Sequence, residues 1–153
     1  MRWILLLLAA IWPAASHAEA EGAADVAQIE ACVRNYAKGA PQERVIGGCV
    51  GIIKSACGGK TTIEISDCIM RETAAWDHLL DAWLARLKER QKTSGDVDRL
   101  LADQRRWSED REAECARVYD KWREGSIRVI FAATCYRDMA AERAVEFYYR
   151  LNE

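Results

Sequence analysis

The fold follows from residues 61–92, TTIEISDCIMRETAAWDHLLDAWLARLKERQK, a stretch without proline or glycine. Large apolar side chains recur in it at spacings of three, four and seven residues: Ile65, Ile69, Trp76, Leu80, Trp83 and Leu87. This spacing places them along one face of an α-helix. At the start, Thr61 and Glu64 form a capping-box pattern, in which each side chain can bond to the backbone N–H of the other residue. The stretch therefore predicts a long amphipathic helix.

The segment before this stretch predicts two shorter helices. Residues 26–38 place apolar side chains at helical spacing after an Ala/Glu-rich start at 19–25, which we expect to be frayed. Residues 39–41, Gly-Ala-Pro, break the pattern, because glycine leaves the helical region easily and proline begins a helix without needing an N–H. A second short helix is predicted from Pro41 to about Lys54.

The segment after the stretch predicts two longer helices. Residues 93–96, Thr-Ser-Gly-Asp, end the first long helix and cap the next. Gly125 forms another turn, and Ser126 is expected to be the N-cap of a final helix over about 127–150. No alternation of apolar and polar residues is long enough to indicate a strand. The sequence therefore predicts an all-α protein of about four to five helices.

The first 18 residues have the pattern of a secretory signal peptide. Arg2 precedes an uncharged run from Trp3 to Trp12, and small residues precede a cleavage site that we place after Ala18, with Ala20 as the second choice. The run is shorter than the roughly 20 apolar residues that span a bilayer. We expect a periplasmic or secreted protein with no membrane segment after cleavage.

Composition narrows the class of protein. The 153 residues fit one domain, and removal of Arg2 with the signal peptide leaves 21 of the 22 basic residues against 24 acidic ones. This balance offers no basic excess for a phosphate backbone, so nucleic-acid binding is not expected.

His78 would be the one remaining histidine, and C-x-x-C pairs are absent from the sequence. We therefore predict no metal, no cofactor and no catalytic triad. Glu109 and Asp110 are adjacent and point to different sides of a helix, which argues against a catalytic carboxylate pair and for a protein that is not an enzyme.

Six cysteines in an exported chain predict three disulfides. Residues at equal distances from a turn lie at similar heights on antiparallel helices, and this rule pairs two cysteines around Gly125 and two around residues 40–41. The predicted pairs are Cys115 with Cys135, Cys32 with Cys49 and, by remainder, Cys57 with Cys68. The architecture expected is a bundle of helical hairpins fastened by disulfides.

The same rule, applied to the turn at residue 94, places polar residues between the two long helices. It sets Asp77 opposite Arg111 and Asp81 opposite Trp107, which predicts an ion pair and a hydrogen bond from the Trp107 indole to Asp81. We interpret these residues as structural. The tryptophans are interpreted as core, with a carbohydrate-stacking platform as the alternative: Trp76, Trp83, Trp107 and Trp122.

Several of these motifs together resemble a known family. They are Cys57 and Cys68 with Thr62-x-Glu64 between them, ETAAWD at 72–77, Gln104-x-x-Trp107-x-x-x-Arg111-x-x-x-Cys115, Gly125-Ser126, Cys135 and Arg143. Over about residues 57–150 the chain is similar to the bacterial LprI-type domain of lysozyme inhibitors. Residues 26–56 resemble a cysteine-bearing extension found in some members.

The resemblance implies both an organisation and a function. Together with the signal-peptide pattern at 1–18, it implies a helical extension at 19–56 with Cys32 and Cys49, and an LprI-like domain at 57–153. The implied function is binding and inhibition of lysozyme by protein–protein contact. The alternative is a non-enzymatic envelope adaptor or structural protein that binds some other partner.

The chain departs from the family pattern at three places. Asp81 replaces a usual Asn, Leu84 lies near a usual Tyr, and Glu124 stands where the family has a second glycine. The apolar run is not followed directly by a cysteine, which implies a soluble product instead of a lipid-anchored one. The structural motif residues are Asp77, Asp81, Gln104, Trp107, Arg111 and Arg143, whereas the partner-binding residues stay open between the exposed turns at 93–96 and 123–126.

Overall fold

The computed structural model describes the backbone of residues 14–153 and the side chains from residue 19 onward. Within this range the chain forms six α-helices and no strand: α1 Ala14–Tyr36, α2 Gln42–Cys49, α3 Ile52–Cys57, α4 Thr62–Glu89, α5 Ser94–Lys121 and α6 Arg128–Asn152. The all-α prediction is confirmed. Residues 1–13 of the predicted signal peptide lie outside the described residues.

The capping box at the start of α4 is confirmed. The Thr61 hydroxyl accepts a hydrogen bond from the Glu64 N–H at 3.2 Å, and a Glu64 carboxylate oxygen accepts one from the Thr61 N–H at 2.9 Å. The hydrogen bonds from the backbone N–H groups of Thr61 and then Lys60 lower the pKa of Glu64. The cap defines where the central helix begins.

Three local expectations are wrong. Residues predicted as one helix from Pro41 to Lys54 form α2 and α3, because Gly51 takes a left-handed φ of +93° that ends helical bonding between them. Residues 19–25 are helical instead of frayed. Ser126 is not the N-cap of α6: Ile127 holds that position, and its side chain makes no capping hydrogen bond.

Helix α4 lies at the centre of the fold. It packs along α6 and also contacts α1 and α3, while α2 packs against α1 and α6. Hydrogen bonds from Ser66 to the Val129 carbonyl near one end and from Arg90 to the Leu151 carbonyl near the other show that α4 and α6 run in the same direction. Helix α5 packs against α6, and in the described chain it makes few close backbone contacts with α4. Helix α6 therefore packs between the two helices of the α4–α5 hairpin.

Each disulfide joins two neighbouring helices. The Cα–Cα distances are 5.8 Å between α1 and α2, 5.7 Å between α3 and α4, and 5.5 Å between α5 and α6. The pairs in the structure are those expected from the sequence: Cys32–Cys49, Cys57–Cys68 and Cys115–Cys135. Every junction between consecutive helices except α2–α3 and α4–α5 is thus cross-linked.

A single core joins the amino-terminal helices to the long ones. Ile29, Val33 and Val45, from α1 and α2, have no exposed surface and belong to the same buried cluster as Trp76 and Trp83 of α4. Burial of such side chains is the main source of stability in a small domain. The segment at 26–53 therefore contributes buried side chains to the core of the protein. No helix in the described range has the length and apolarity needed to cross a membrane.

We expect Ile29→Ala to lower the free energy of unfolding by about 2–5 kcal/mol, because it leaves a cavity in the shared core. Urea unfolding followed by tryptophan fluorescence measures the loss. Gln28→Ala, at an exposed position one residue away, is the matched control and should change stability by less than about 0.5 kcal/mol. Equal stability of the two variants would show that α1 is not part of the core.

Candidate functional site

The family-like string on α5 faces the other two long helices. Gln104, Trp107 and Arg111 are three and four residues apart, which places them on one face of α5. The structure brings this face against Asp77 of α4 and Arg143 of α6. We call these residues the arginine seam: Asp77, Asp103, Gln104, Trp107, Arg111, Tyr136, Arg143 and Glu146.

Arg111 connects all three long helices. Its two terminal nitrogens donate to the Asp77 carboxylate at 2.7 and 3.2 Å, and one of them also donates to the Tyr136 carbonyl at 2.9 Å. The guanidinium carbon lies 5.4 Å from the ring centroids of both Trp107 and Tyr136. The Arg111 side chain is 13% exposed, whereas that of Asp77 is 41% exposed. The ion pair predicted between these residues is present, with an additional partner on α6.

Arg143 joins α6 to the first half of α5. Its Nε donates to the Gln104 side chain at 3.1 Å, and its terminal nitrogens donate to Glu146 at 2.8 Å and to Asp103. The hydrogen bond from Arg143 lowers the pKa of Asp103. The Arg143 guanidinium lies 5.9 Å from the Trp107 ring centroid, so Trp107 contacts both arginines of the seam.

The hydrogen bond predicted between Asp81 and Trp107 is wrong. Among the described residues no hydrogen bond joins them, and Asp81 is exposed on α4. The prediction assumed that α4 and α5 pack directly against each other, whereas α6 packs between them. Although Asp81 is exposed, partial desolvation and then the negative charge of Asp77 raise the pKa of Asp81, against a smaller lowering effect of His78.

The four tryptophans predicted to lie in the core differ in their burial. Trp76 and Trp83 are fully or almost fully buried, which confirms their assignment to the core. Trp107 is half-buried in the arginine seam. Trp122 is 43% exposed, so its assignment to the core is wrong; it lies at the end of α5, where the chain turns toward α6.

Sequence reasoning missed a buried carboxylate on α4. Glu72 has no exposed surface, and its two oxygens accept hydrogen bonds from the backbone N–H groups of Gly51 and Lys54, at 2.5 and 2.8 Å. Its Oε1 also lies 3.4 Å from the indole nitrogen of Trp76. Glu72 thereby supplies partners for the N–H groups at the start of α3. The sequence signal for its burial is its spacing: Glu72 lies three residues after Ile69 and four before Trp76, on the apolar face of the helix.

A second missed contact fastens the middle of α1 to α4. Asp25 is 5% exposed, and Arg71 of α4 donates to its two carboxylate oxygens at 2.5 and 2.9 Å. Arg71 also pairs with Glu21 at 3.1 Å. The hydrogen bond from Arg71 to Asp25 raises the pKa of the arginine. This contact holds the part of α1 around residues 21–25 on α4.

The charged groups of the arginine seam use most of their hydrogen-bonding capacity within the protein. The carboxylates and guanidinium groups of the seam bond to one another, although the Asp77 and Asp103 side chains are 41% and 53% exposed. In the part of the chain that the structure describes, no three His, Cys, Asp or Glu side chains are placed to hold a metal ion. The seam joins α5 and α6 to α4.

These features define a disulfide-linked helical domain whose long helices are joined by buried arginines. The family model described as "Lysozyme inhibitor LprI" matches residues 54–147, and the chain belongs to this family. The match contains every member of the arginine seam, and it begins after α1 and α2. No curated protein and no solved structure is significantly similar to the chain.

We expect Asp77→Ala to lower the free energy of unfolding by about 1–3 kcal/mol, because Arg111 then stays buried without its carboxylate partner. Glu109→Ala, at an exposed position on α5, is the control and should stay within about 0.5 kcal/mol of the wild type. Chemical denaturation at pH 7 compares the two. Equal free energies of unfolding for Asp77→Ala and the control would exclude a stabilising role for the ion pair.

Asp81→Asn should stabilise the protein at neutral pH and leave it unchanged in acid. A raised pKa means that the folded state binds the Asp81 proton more tightly than the unfolded state does. This tighter binding stabilises the fold below the ordinary aspartate pKa of about 3.9, and the stabilisation is lost as pH rises through the pKa of the folded state. Asparagine removes that loss, which we expect to be on the order of 0.5 kcal/mol because the side chain is exposed. Melting temperatures from pH 2.5 to 7 test this; a difference that is constant with pH would contradict it.

Proposed function

We propose that this protein is exported, binds a lysozyme and blocks it by protein–protein contact, without enzymatic activity of its own. The observation that carries the proposal is membership of a family described as lysozyme inhibitors, with a match over residues 54–147. Function depends on a surface and not on a fold alone. The experiment below therefore tests inhibition directly.

Two features support export to the periplasm or to the medium. Residues 1–18 have the signal-peptide pattern, with cleavage proposed after Ala18. The six cysteines are all paired, and disulfides persist in oxidising compartments outside the cytosol. We infer that the mature chain consists of a helical extension at 19–56 and a family domain at 57–153, which share one core.

Charge supports the choice of partner only weakly. The proposed mature chain has 21 basic and 24 acidic residues, since the segment removed contains one arginine and no acid. A net charge of about −3 favours encounter with a basic protein, and the effect falls as salt screens it. Specific recognition must come from a particular patch of the surface.

The test is the lysis of peptidoglycan-walled cells by a chicken-type lysozyme, with and without the purified, disulfide-intact mature protein. We expect lysis to slow at micromolar excess of the protein. The same protein, reduced and alkylated, is the control and should not slow lysis, because its three cross-links are removed.

Two other outcomes would decide against the proposal. Unchanged lysis at every concentration would remove the inhibitor function for this class of lysozyme. Binding to lysozyme without slower lysis, measured by calorimetry, would favour the adaptor function over the inhibitor function.

A further inference from the structure

The exposed apolar side chains are concentrated at one end of the molecule. Six large apolar residues among those described are exposed by 37–58%, and five of them lie where α4 begins, α5 ends and α6 begins. These five are Ile63, Met70, Tyr119, Trp122 and Ile127. Contiguous exposed apolar surface commonly marks an interaction site. We call residues 117–128, with the turn between α5 and α6, the tip.

The tip is held in place by packing on both of its helices. The Trp122 ring stacks on Phe131 of α6, with centroids 4.7 Å apart and planes inclined by 24°. The Arg128 guanidinium lies 4.7 Å from the Tyr119 ring centroid. The Cys115–Cys135 disulfide cross-links the two helices two turns away from the turn between them. A surface fixed in this way loses little conformational entropy when it binds.

The apolar surface of α4 adjoins the tip. Ser66 donates a hydrogen bond to the Val129 carbonyl at 3.3 Å, which brings the first turns of α4 beside the start of α6. Ile63 and Met70 lie three residues before and four residues after Ser66, on the same face of α4. Together with Ile127, they extend the apolar area beyond the turn.

The tip is also the basic part of an acidic chain. Residues 117–128 contain four basic side chains and two acidic ones, whereas residues 93–116 contain four basic and seven acidic ones. Lys121 and Arg123 flank Trp122, and the Arg123 side chain is 74% exposed and lies 3.8 Å from the Asp120 carboxylate. Lys121 forms no ion pair among the described residues, and its ammonium lies 6.0 Å from the Trp122 ring centroid. An exposed aromatic residue between two cations suits a partner that is apolar and acidic in the same place.

We propose that the tip inserts into the sugar-binding cleft of the lysozyme, with Trp122 against the cleft wall and Lys121 and Arg123 facing its carboxylates. The assignment rests on the proposed function. Glycoside hydrolases of this kind carry two carboxyl groups beside the scissile bond. Binding clefts are lined mainly by apolar and aromatic side chains. The tip complements both properties, and Trp and Arg are the residues that most often dominate binding energy at protein interfaces.

The other exposed turn does not have these properties. Residues 90–96, from the end of α4 into the first turn of α5, contain none of the exposed large apolar side chains. Asp96 is occupied in capping α5, where it accepts a hydrogen bond from the Thr93 hydroxyl at 2.7 Å. The observations therefore favour the tip over the turn at the opposite end of α5.

The test compares two double charge reversals in the lysis assay. Lys121→Glu with Arg123→Glu alters the tip, and Lys88→Glu with Lys92→Glu makes the same change in net charge at exposed positions at the opposite end. Long-range attraction to lysozyme changes similarly in both. We expect the tip variant to need at least tenfold more protein for half-inhibition, and the control to stay within about twofold of the wild type.

A third variant examines the apolar contact. Trp122→Ser should also need at least tenfold more protein, and its melting temperature shows whether the loss comes from unfolding. Because Lys121 and Arg123 are exposed, their reversal keeps the test valid if Trp122→Ser proves unstable. A soluble chitooligosaccharide, which occupies the cleft, should compete with the wild-type protein for lysozyme.

The outcomes separate the docking surface from the function itself. If the wild type slows lysis and the tip reversal is equally potent, the tip assignment is wrong and the inhibitor function stands. Binding that the oligosaccharide leaves unchanged would overturn insertion into the cleft. If the wild type does not slow lysis, both the function and the tip assignment fail.

Discussion

The arrangement of the long helices depends on one buried guanidinium. Helices α4 and α5 are consecutive in the chain and yet make few close contacts, because α6 packs between them. Arg111 reaches from α5 to the Asp77 carboxylate and to the Tyr136 carbonyl, and so joins the three helices at one point. A hydrogen bond between charged groups at a largely buried position is stronger than one at the surface. Arg111 therefore helps to set the relative position of the three helices, together with Arg143 and the Cys115–Cys135 disulfide.

The same principle fastens the part of the chain that precedes the family match. Glu72 supplies acceptors for the first N–H groups of α3, and Arg71 holds Asp25 of α1. Both anchors extend from α4, which makes this helix the common support for the family segment and the amino-terminal helices. Apolar contacts of Ile29 and Val33 then complete a single core. The amino-terminal helices are therefore held by the same kinds of interaction as the long helices, namely hydrogen bonds of charged side chains and apolar packing.

This organisation separates the groups that stabilise the fold from the surface proposed for recognition. The charged groups of the arginine seam bond within the protein, so the motif that identifies the family leaves few free groups for a partner. The exposed aromatic and basic side chains lie instead at the far end of α5, beyond the Cys115–Cys135 disulfide. A rigid support is needed there, because a surface that must order itself on binding loses part of its affinity. The seam supplies that support, and the tip carries the binding proposal.

The sequence by itself determined the helices, their main boundaries and which cysteines are neighbours, because helical periodicity, capping and turn residues act over a few residues. It also indicated the ion pair of Asp77 with Arg111. Tertiary structure alone decided that α6 enters the hairpin, which removed the contact expected between Asp81 and Trp107 and left Trp122 exposed. The physical reason is that helical spacing identifies the apolar face of a helix, whereas the helix that covers this face is chosen by the packing of all helices together.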